Sequence, residues 1–518
     1  MIDYKKLSFA LVLVMIFTAI FAGEALAQED REGDRLIVAY PEDVATFDLQ
    51  ATTSPPNEVR HLVFEPLFAF NQDMEPQPIL AEDWEYNEDD LYWDIKIREG
   101  VEFHDGEEVT SADVVASFER YQDIGARSFQ VDSVEEVEAL DNYTVRFHLD
   151  SPFGTLVESL SETSGVFAVY PEWLVDEYRD EELRDNYIGT GPYEVEEVAV
   201  GEYYILTKND DYQPNPEAEG GFLAERESYI DELEIRVIEE DAARVAALQA
   251  GDVDLIQSVP LDDYEILQDD PDVEALPTSP GYRVYYKFNT TQEPFDDPLL
   301  RKGIRAGLDP EEIMWTQGPE DLWRINHTPR YQEEQIWWTD QSHLYPEDME
   351  LAQKLVDASD YDGEEIEFLV SPGRALEYNT VIVMEEYLRD LGLNVEIRSV
   401  DAATFGDVRA QMDEWNIKHA GGGSMVGPVY LDSSFVDRTG ERWPTTENVI
   451  LDHYMEILEE EQDVEARKEA IDHIYRLNAE YVNEMWVGDV FQVAGFRNHV
   501  MGVQDSFKLP LFGLWLEE

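Results

Sequence analysis

Nine histidines and a complete absence of cysteine set the chemistry open to this 518-residue chain. The histidines stand at 61, 104, 148, 327, 343, 419, 453, 473 and 499, and no two share a helix face at metal-ligand spacing. Without cysteine there is no disulfide, no thiolate nucleophile and no cysteine metal site. There is no His-Glu-x-x-His, no Gly-x-Ser-x-Gly elbow, no Walker loop and no Gly-x-Gly-x-x-Gly after a strand. Paired carboxylates carry little information among 116 acidic residues, so a secreted hydrolase of glycosidase type is the minor enzyme alternative. No metal, no cofactor and no catalytic residue is expected. The richer resource is aromatic: 11 Trp and 27 Tyr offer flat rings that suit sugar faces, apolar peptide side chains and heterocycles alike. Trp337, Trp338, Trp415, Trp443 and Trp486 fall in the C-terminal half, although core packing is the commoner fate of any one tryptophan.

The elements that must position these groups alternate between strand and helix. Leu36–Tyr40 reads as a short strand and Pro41–Pro56 as a polar loop. Tyr92–Ile97 alternates as a half-buried strand does, and Asp105-Gly106 reads as a turn. Thr110 caps a helix with Asp113 at its third position and Val114, Phe118 and Tyr121 on one face. Asp241 opens a helix that Gly251 closes, with Val253–Val259 returning as an apolar strand. Tyr282–Asn289 places Val284, Tyr286 and Phe288 on one side, and Asp309-Pro310 starts another helix. Asn379–Leu391 is a helix ended near Gly392 before the strand Asn394–Val400. Helix, glycine and strand in that order predict an α/β protein of βαβ units with more than one core.

Charge and export bound the setting. A formal net charge of −80 repels nucleic acid and anionic lipid, so neither is an expected partner. Disorder is excluded by a 43% hydrophobic and 12% aromatic content. Basic residues are 10 Lys and 26 Arg, and self-repulsion of this size calls for screening, as in molar salt where the Debye length is about 3 Å. A halophilic source accounts for that balance. Lys5 and Lys6, the apolar run Leu7–Ala22 and Ala25-Leu26-Ala27 form a signal peptide, with cleavage expected after Ala27 and no cysteine for a lipid anchor. A periplasmic location and a monomer are expected.

Motifs spread over most of the chain resemble the peptide, nickel and opine group of extracytoplasmic solute-binding proteins, family 5, which includes dipeptide- and oligopeptide-binding members. They are Pro78-Ile-Leu-Ala-Glu-Asp-Trp84, Ile97-Arg-Glu-Gly-Val-Glu-Phe-His-Asp-Gly106, Thr110-Ser-Ala-Asp-Val-Val-Ala-Ser-Phe-Glu-Arg120 and Gly189-Thr-Gly-Pro-Tyr193. Tyr229-Ile-Asp-Glu-Leu233, Ala247-Leu-Gln-Ala-Gly-Asp-Val-Asp-Leu255 and Pro294-Phe-Asp-Asp-Pro298 add to them. Each has a scaffold role of its own: Gly189 and Gly191 make a tight turn into a strand, and His104 reads as structural.

The resemblance implies a two-lobed periplasmic-binding-protein-like fold (type II, cluster C) with a subdomain inserted in lobe one. By matching motifs, lobe one spans 28–60, 188–281 and 488–518, the insertion 61–187, and lobe two 282–487. It implies the binding component of an ABC importer, handing a small organic solute to a permease and its ATPase subunits, with a chemoreceptor as a second possible reader. Thr46, Phe47 and Asp48 of lobe one and Trp415, Ser424, Met425, Trp486, Asp489 and Phe491 toward lobe two are its expected ligand contacts. The family's peptide-binding members hold the peptide amino terminus with an aspartate. The comparable stretch here, His419-Ala-Gly-Gly-Gly-Ser-Met-Val-Gly-Pro428, has no carboxylate before Asp432. The expected ligand is an oligopeptide first and an oligosaccharide second. Blocking a peptide's amino terminus is expected to matter little, unless Asp432 or Asp437 supplies the anchor.

Overall fold

The structure is a computed structural model, and it describes residues 35–517 apart from 45, 164, 185, 220–222, 224, 225, 333–336, 372–374, 410, 412, 413, 421–448 and 505–508. Its organising feature is a pair of long antiparallel strands, Val273–Phe288 and Glu484–Arg497, of 16 and 14 residues. A strand averages about 5–6 residues, so each of these has length to serve two half-sheets. Their far ends do so. Gly495 and Phe496 pair with Leu255–Ile256, behind which come Arg35–Tyr40, Glu232–Val237, Tyr203–Lys208 and Tyr193–Ala199. Tyr286–Phe288 pair with Ile417–His419, behind which come Glu365–Val370 and Asn394–Ser399. The ladder between the two long strands slips at Pro277/Pro280 and Pro280/Tyr282, where proline cannot donate and the strands change from one half-sheet to the other.

Each half-sheet has a parallel segment with its own helix. Arg35–Tyr40 pairs in parallel with Glu232–Val237 and Leu255–Ile256, the helix Asp241–Ala250 crossing between the last two. Gly251 ends that helix in the left-handed conformation (φ +78°). Glu365–Val370 pairs in parallel with Asn394–Ser399 and Ile417–His419, with the helix Ala375–Asp390 between the first pair. Val284, Tyr286 and Phe288 are fully buried against Ile366 and Phe368.

A separate four-stranded antiparallel sheet, ordered Ala81–Asn87, Tyr92–Ile97, Thr144–Leu149 and Val134–Ala139, lies within the inserted segment. The helix Ser111–Ile124 packs Val114, Phe118 and Tyr121 on it, and begins with the expected capping box between Thr110 and Asp113. Two helices from the other end of the chain, Val449–Glu460 and Val464–Tyr481, bury Leu458, Ile471 and Ile474 in the same core. Arg467 donates to Glu158 across that seam at 2.6 Å, and the Gly154 N–H to the Glu459 carbonyl at 2.9 Å.

One expectation is corrected. The strand expected over Val253–Val259 is only Leu255–Ile256, because beyond Ile256 the chain turns away toward Pro260, leaving one further backbone bond, Val259 N to Val493 O. The stretch after Tyr40 is a loop as expected, and its Val44 and Thr46–Gln50 are buried: the Gln50 amide donates to the Ser117 and Ala168 carbonyls of the insertion, and the Leu49 and Gln50 N–H groups to the Tyr170 hydroxyl. Gly189 and Gly191 are required by close approach, since a Cβ would lie 2.0 Å from the Val63 carbonyl oxygen or 2.3 Å from that of Leu62. His104 clamps this turn, its Nε2 at 2.9 Å from Gly191 O, and burial lowers its pKa, so it is a neutral structural ring.

Candidate ligand cleft

Where the long strands change half-sheets, a cavity of about 310 Å³ opens. Ser258, Val259, Pro260 and Leu261 line it from beside the first half-sheet, Glu377 from the helix Ala375–Asp390 of the second, and Tyr282, Val490, Phe491, Gln492 and Val493 from the long strands themselves. Its wall is largely hydrocarbon and aromatic, with one ionisable carboxylate, Glu377, among the described lining residues. Glu377 Oε2 lies 3.7 Å from His419 Nδ1, and the ring of Tyr282 lies parallel to that of His419 at 6.4 Å. Such a mixture of apolar surface and few polar groups is what small-molecule sites present.

Beside the cavity a charged layer crosses three adjacent strands. Asp489 stands opposite Arg283 on one neighbour and Arg324, on the short strand Trp323–Ile325, on the other. Arg324 Nε donates to Asp489 Oδ2 at 2.8 Å, and Asn326 Nδ2 reaches both carboxylate oxygens at 3.1 Å. Burial raises the Asp489 pKa to about 7 despite the opposing pull of Arg324, Asn326 and Arg283. The Arg324 guanidinium also lies 5.4 Å from the ring centre of Phe491. Asp489 and its arginines therefore fix the strands beneath the cavity wall.

The residues singled out in the sequence fall into four groups. Phe491 lines the cavity, and Asp489 underlies it. Trp486 is buried, stacked on Tyr285 at 3.9 Å with Arg283 5.1 Å from its ring centre, so its faces are occupied by the protein. Trp415 is also interior, packed with Leu369 and Val408 and facing Lys418. Thr46, Phe47 and Asp48 are buried rather than displayed: Phe47 packs against Tyr187 and Tyr204, and the Thr46 hydroxyl accepts from the Asp48 N–H at 3.1 Å. Asp48 is paired with Arg120, both side chains having no exposure, and also accepts from the Tyr170 hydroxyl at 3.0 Å and Leu183 N at 3.1 Å. Its carboxylate is consumed within the protein. Ser424, Met425, Asp432 and Asp437 lie outside the described residues.

Sequence reasoning missed Tyr282, Glu377 and the Ser258–Leu261 corner as cavity residues. Tyr282 and Glu377 are 95 positions apart and Ser258 and Gln492 are 234 apart, so only the crossing of the long strands brings them together. The available signal was the Pro277, Pro280 and Gly281 run, which falls where the register of the long strand slips.

A family model described as bacterial extracellular solute-binding proteins, family 5 Middle, matches residues 75–435. The probable peptide ABC transporter periplasmic-binding protein y4tO of Sinorhizobium fredii is 25% identical over 402 residues, 75% of this chain and 74% of that one. The oligopeptide-binding protein AppA of Bacillus subtilis is 24% identical over 413 residues, 73% of this chain and 71% of its own. Among solved structures, the periplasmic binding protein DppA of Helicobacter pylori in complex with the peptide STSA superposes with a TM-score of 0.77 at 20% identity, over 95% of this chain and all of that one. With a family match over most of its length and the two-lobed α/β fold in common, the chain belongs to the family 5 bacterial extracellular solute-binding proteins.

Proposed function

We propose that this protein captures an oligopeptide in the cavity between its half-sheets and presents it to an ABC permease and its ATPase subunits. The observation that carries the reading is the cavity's position. It lies where two strands shared by both half-sheets change hands, so a molecule held there touches both lobes. A ligand drives closure only through its better affinity for the closed form, which requires contacts from both sides. The relatives that are named peptide- or oligopeptide-binding place peptides first among solutes. The volume is at the low end of small-molecule sites and matches the reach of a few residues.

The reading extends to the boundaries expected from the sequence. Lobe one is 28–60, 188–281 and 488–518, the insertion 61–187 and lobe two 282–487, the 449–481 helices of lobe two resting on the insertion. Export through the leader ending at Ala27, a periplasmic working place, a monomer and no catalysis belong to the same reading. A second reading, an oligosaccharide ligand, is favoured by one observation: the rings of Tyr282 and Phe491 in the cavity wall.

A thermal-shift screen of tri- to pentapeptides and of oligosaccharides decides between them. Ligand at 100 times its Kd adds about 2.7 kcal/mol to the folded state. Peptides that raise the melting temperature and are recovered intact support transport binding. A response to oligosaccharides alone overturns the peptide reading, and cleavage of the ligand overturns the non-enzymatic one.

A further inference from the structure

Resting on the two-lobe capture proposed above, whichever solute is held, we propose that the seam between the insertion and the helices Val449–Glu460 and Val464–Tyr481 is a second latch between the lobes, whose strength sets how tightly a solute is held in a cavity the seam does not touch. Each side of the seam is anchored to a different lobe. The insertion is fixed to lobe one, where Asp48 pairs with the buried Arg120 and the Gln50 amide donates to the Ser117 carbonyl at 3.1 Å and the Ala168 carbonyl at 2.7 Å. The helix pair is fixed to lobe two, where Arg301 donates to the Tyr481 carbonyl at 3.0 and 2.7 Å and Val482 is buried in one core with Phe288 and Ile304. The lobes are joined at the crossing of the long strands and meet again at the seam, so a hinge motion at the crossing must part it.

The composition of the seam suits a contact that is broken as well as made. Its centre is apolar: Leu451, Met455, Leu458, Ile471 and Ile474 of the helices are buried in the core of the insertion's four-stranded sheet. Its edge is polar, with Arg467 donating to Glu158 at 2.6 Å, Ser133 to Glu459 at 3.2 Å and the Gly154 N–H to the Glu459 carbonyl at 2.9 Å. None of these residues lines the cavity. Burial raises the Glu459 pKa against the Ser133 hydrogen bond, and Glu460, Asp150 and Glu456 raise it further. Asp150 belongs to the insertion and the three glutamates to the helix Val449–Glu460, so making the seam brings like charges together. Apolar contact favours the closed seam and these carboxylates oppose it, which leaves a balance that a solute tips. Gly154 lies against the end of that helix: a Cβ there would stand 2.5 Å from the Glu460 carbonyl oxygen, a backbone atom of the other lobe. The Gly154 backbone is outside the left-handed region, so once the seam parts an added methyl meets no such obstacle.

The test uses the whole exported chain with Gly154→Ala and Glu459→Gln variants, their folding checked by circular dichroism and by the melting temperature without solute. Calorimetry is run with a tri- to pentapeptide that raises the melting temperature or, where only an oligosaccharide does so, with that oligosaccharide. The added methyl obstructs the closed seam alone, so Gly154→Ala lowers the apparent affinity by about 10- to 100-fold while the melting temperature without solute stays at the wild-type value. Glu459→Gln keeps an acceptor for Ser133, removes the repelling charge and tightens binding by about 2- to 10-fold. Opposite shifts at two positions remote from the cavity are what a latch produces and a general loosening of the fold does not. Weaker binding in both variants, unchanged affinity in both, or a Gly154→Ala protein that melts lower without solute yet binds as wild type overturns the latch and leaves the capture reading standing. Failure of every peptide and oligosaccharide to bind overturns the capture reading and, with it, this one.

Discussion

Replacing Asp48 by alanine separates a binding role from a structural one. The wild-type carboxylate holds the Arg120 guanidinium, whose remaining hydrogens go to Gln50 Oε1 at 2.9 Å, Tyr178 O at 3.1 Å and Glu181 O at 2.8 Å. Removing Asp48 strands a charge with no exposed surface, at a cost of about 3–5 kcal/mol, and orphans the Leu183 N–H. Against an ordinary domain stability of about 5–15 kcal/mol this is a large fraction. Because the pair ties residue 48 to positions 72, 122 and 135 residues away, the loss appears in the transition of the half containing the insertion. The assay is denaturant unfolding in molar potassium chloride, which screens exposed pairs and leaves a buried one intact. Adding Arg120→Met to Asp48→Ala restores part of the lost stability, since the stranded charge is gone. An Asp48→Ala protein of unchanged unfolding midpoint that fails to bind peptide would refute this reasoning and return Asp48 to the cleft.

Three further outcomes are expected. The melting temperature rises as potassium chloride goes from dilute to molar, because −80 on one chain repels itself until screened; a midpoint indifferent to salt removes the halophile account. For Asp489 the folded pKa, about 7, lies above the ordinary carboxylate value, so the folded state binds its proton more tightly and the contribution to stability falls as pH rises from about 4 to 7. Asp489→Asn removes that slope, worth up to about 4 kcal/mol, so its unfolding midpoint relative to wild type climbs over this window, and a difference flat with pH contradicts the burial argument. Gly191→Ala forces a Cβ to 2.3 Å from the Leu62 carbonyl oxygen, a backbone atom, and lowers stability by about 1–3 kcal/mol; an unchanged melting temperature shows that the turn gives way freely.

Local rules were legible where local physics decides. The Thr110–Asp113 capping box, the Gly251 terminus and the Tyr92–Ile97 strand appear as read, because each is settled by neighbours a few residues away. The long strands were read only in part. Pro277, Pro280 and Gly281 look like a break, and in the structure they are register slips within one continuous strand. The second long strand, Glu484–Arg497, is buried at nearly every position, so it has no alternation to read. Thr46, Phe47 and Asp48 are ligand contacts only by resemblance, and nothing local in the sequence announces that Arg120 and Tyr170 meet the Asp48 carboxylate. Phe491 was reached through resemblance, and Glu377 was not reached at all, since a first-turn glutamate on a helix carries no mark of the cavity it faces.

The central claim, a solute held between lobes that close upon it, is tested most directly by small-angle X-ray scattering of the mature chain with and without a peptide shown to bind. A compact chain of this length has a radius of gyration of about 23–24 Å. The account predicts a free protein larger than that and a fall toward it as peptide saturates the site, since hinge closure removes a solvent-filled cleft. An unchanged radius at saturation, from a free form already larger than the compact value, would contradict it.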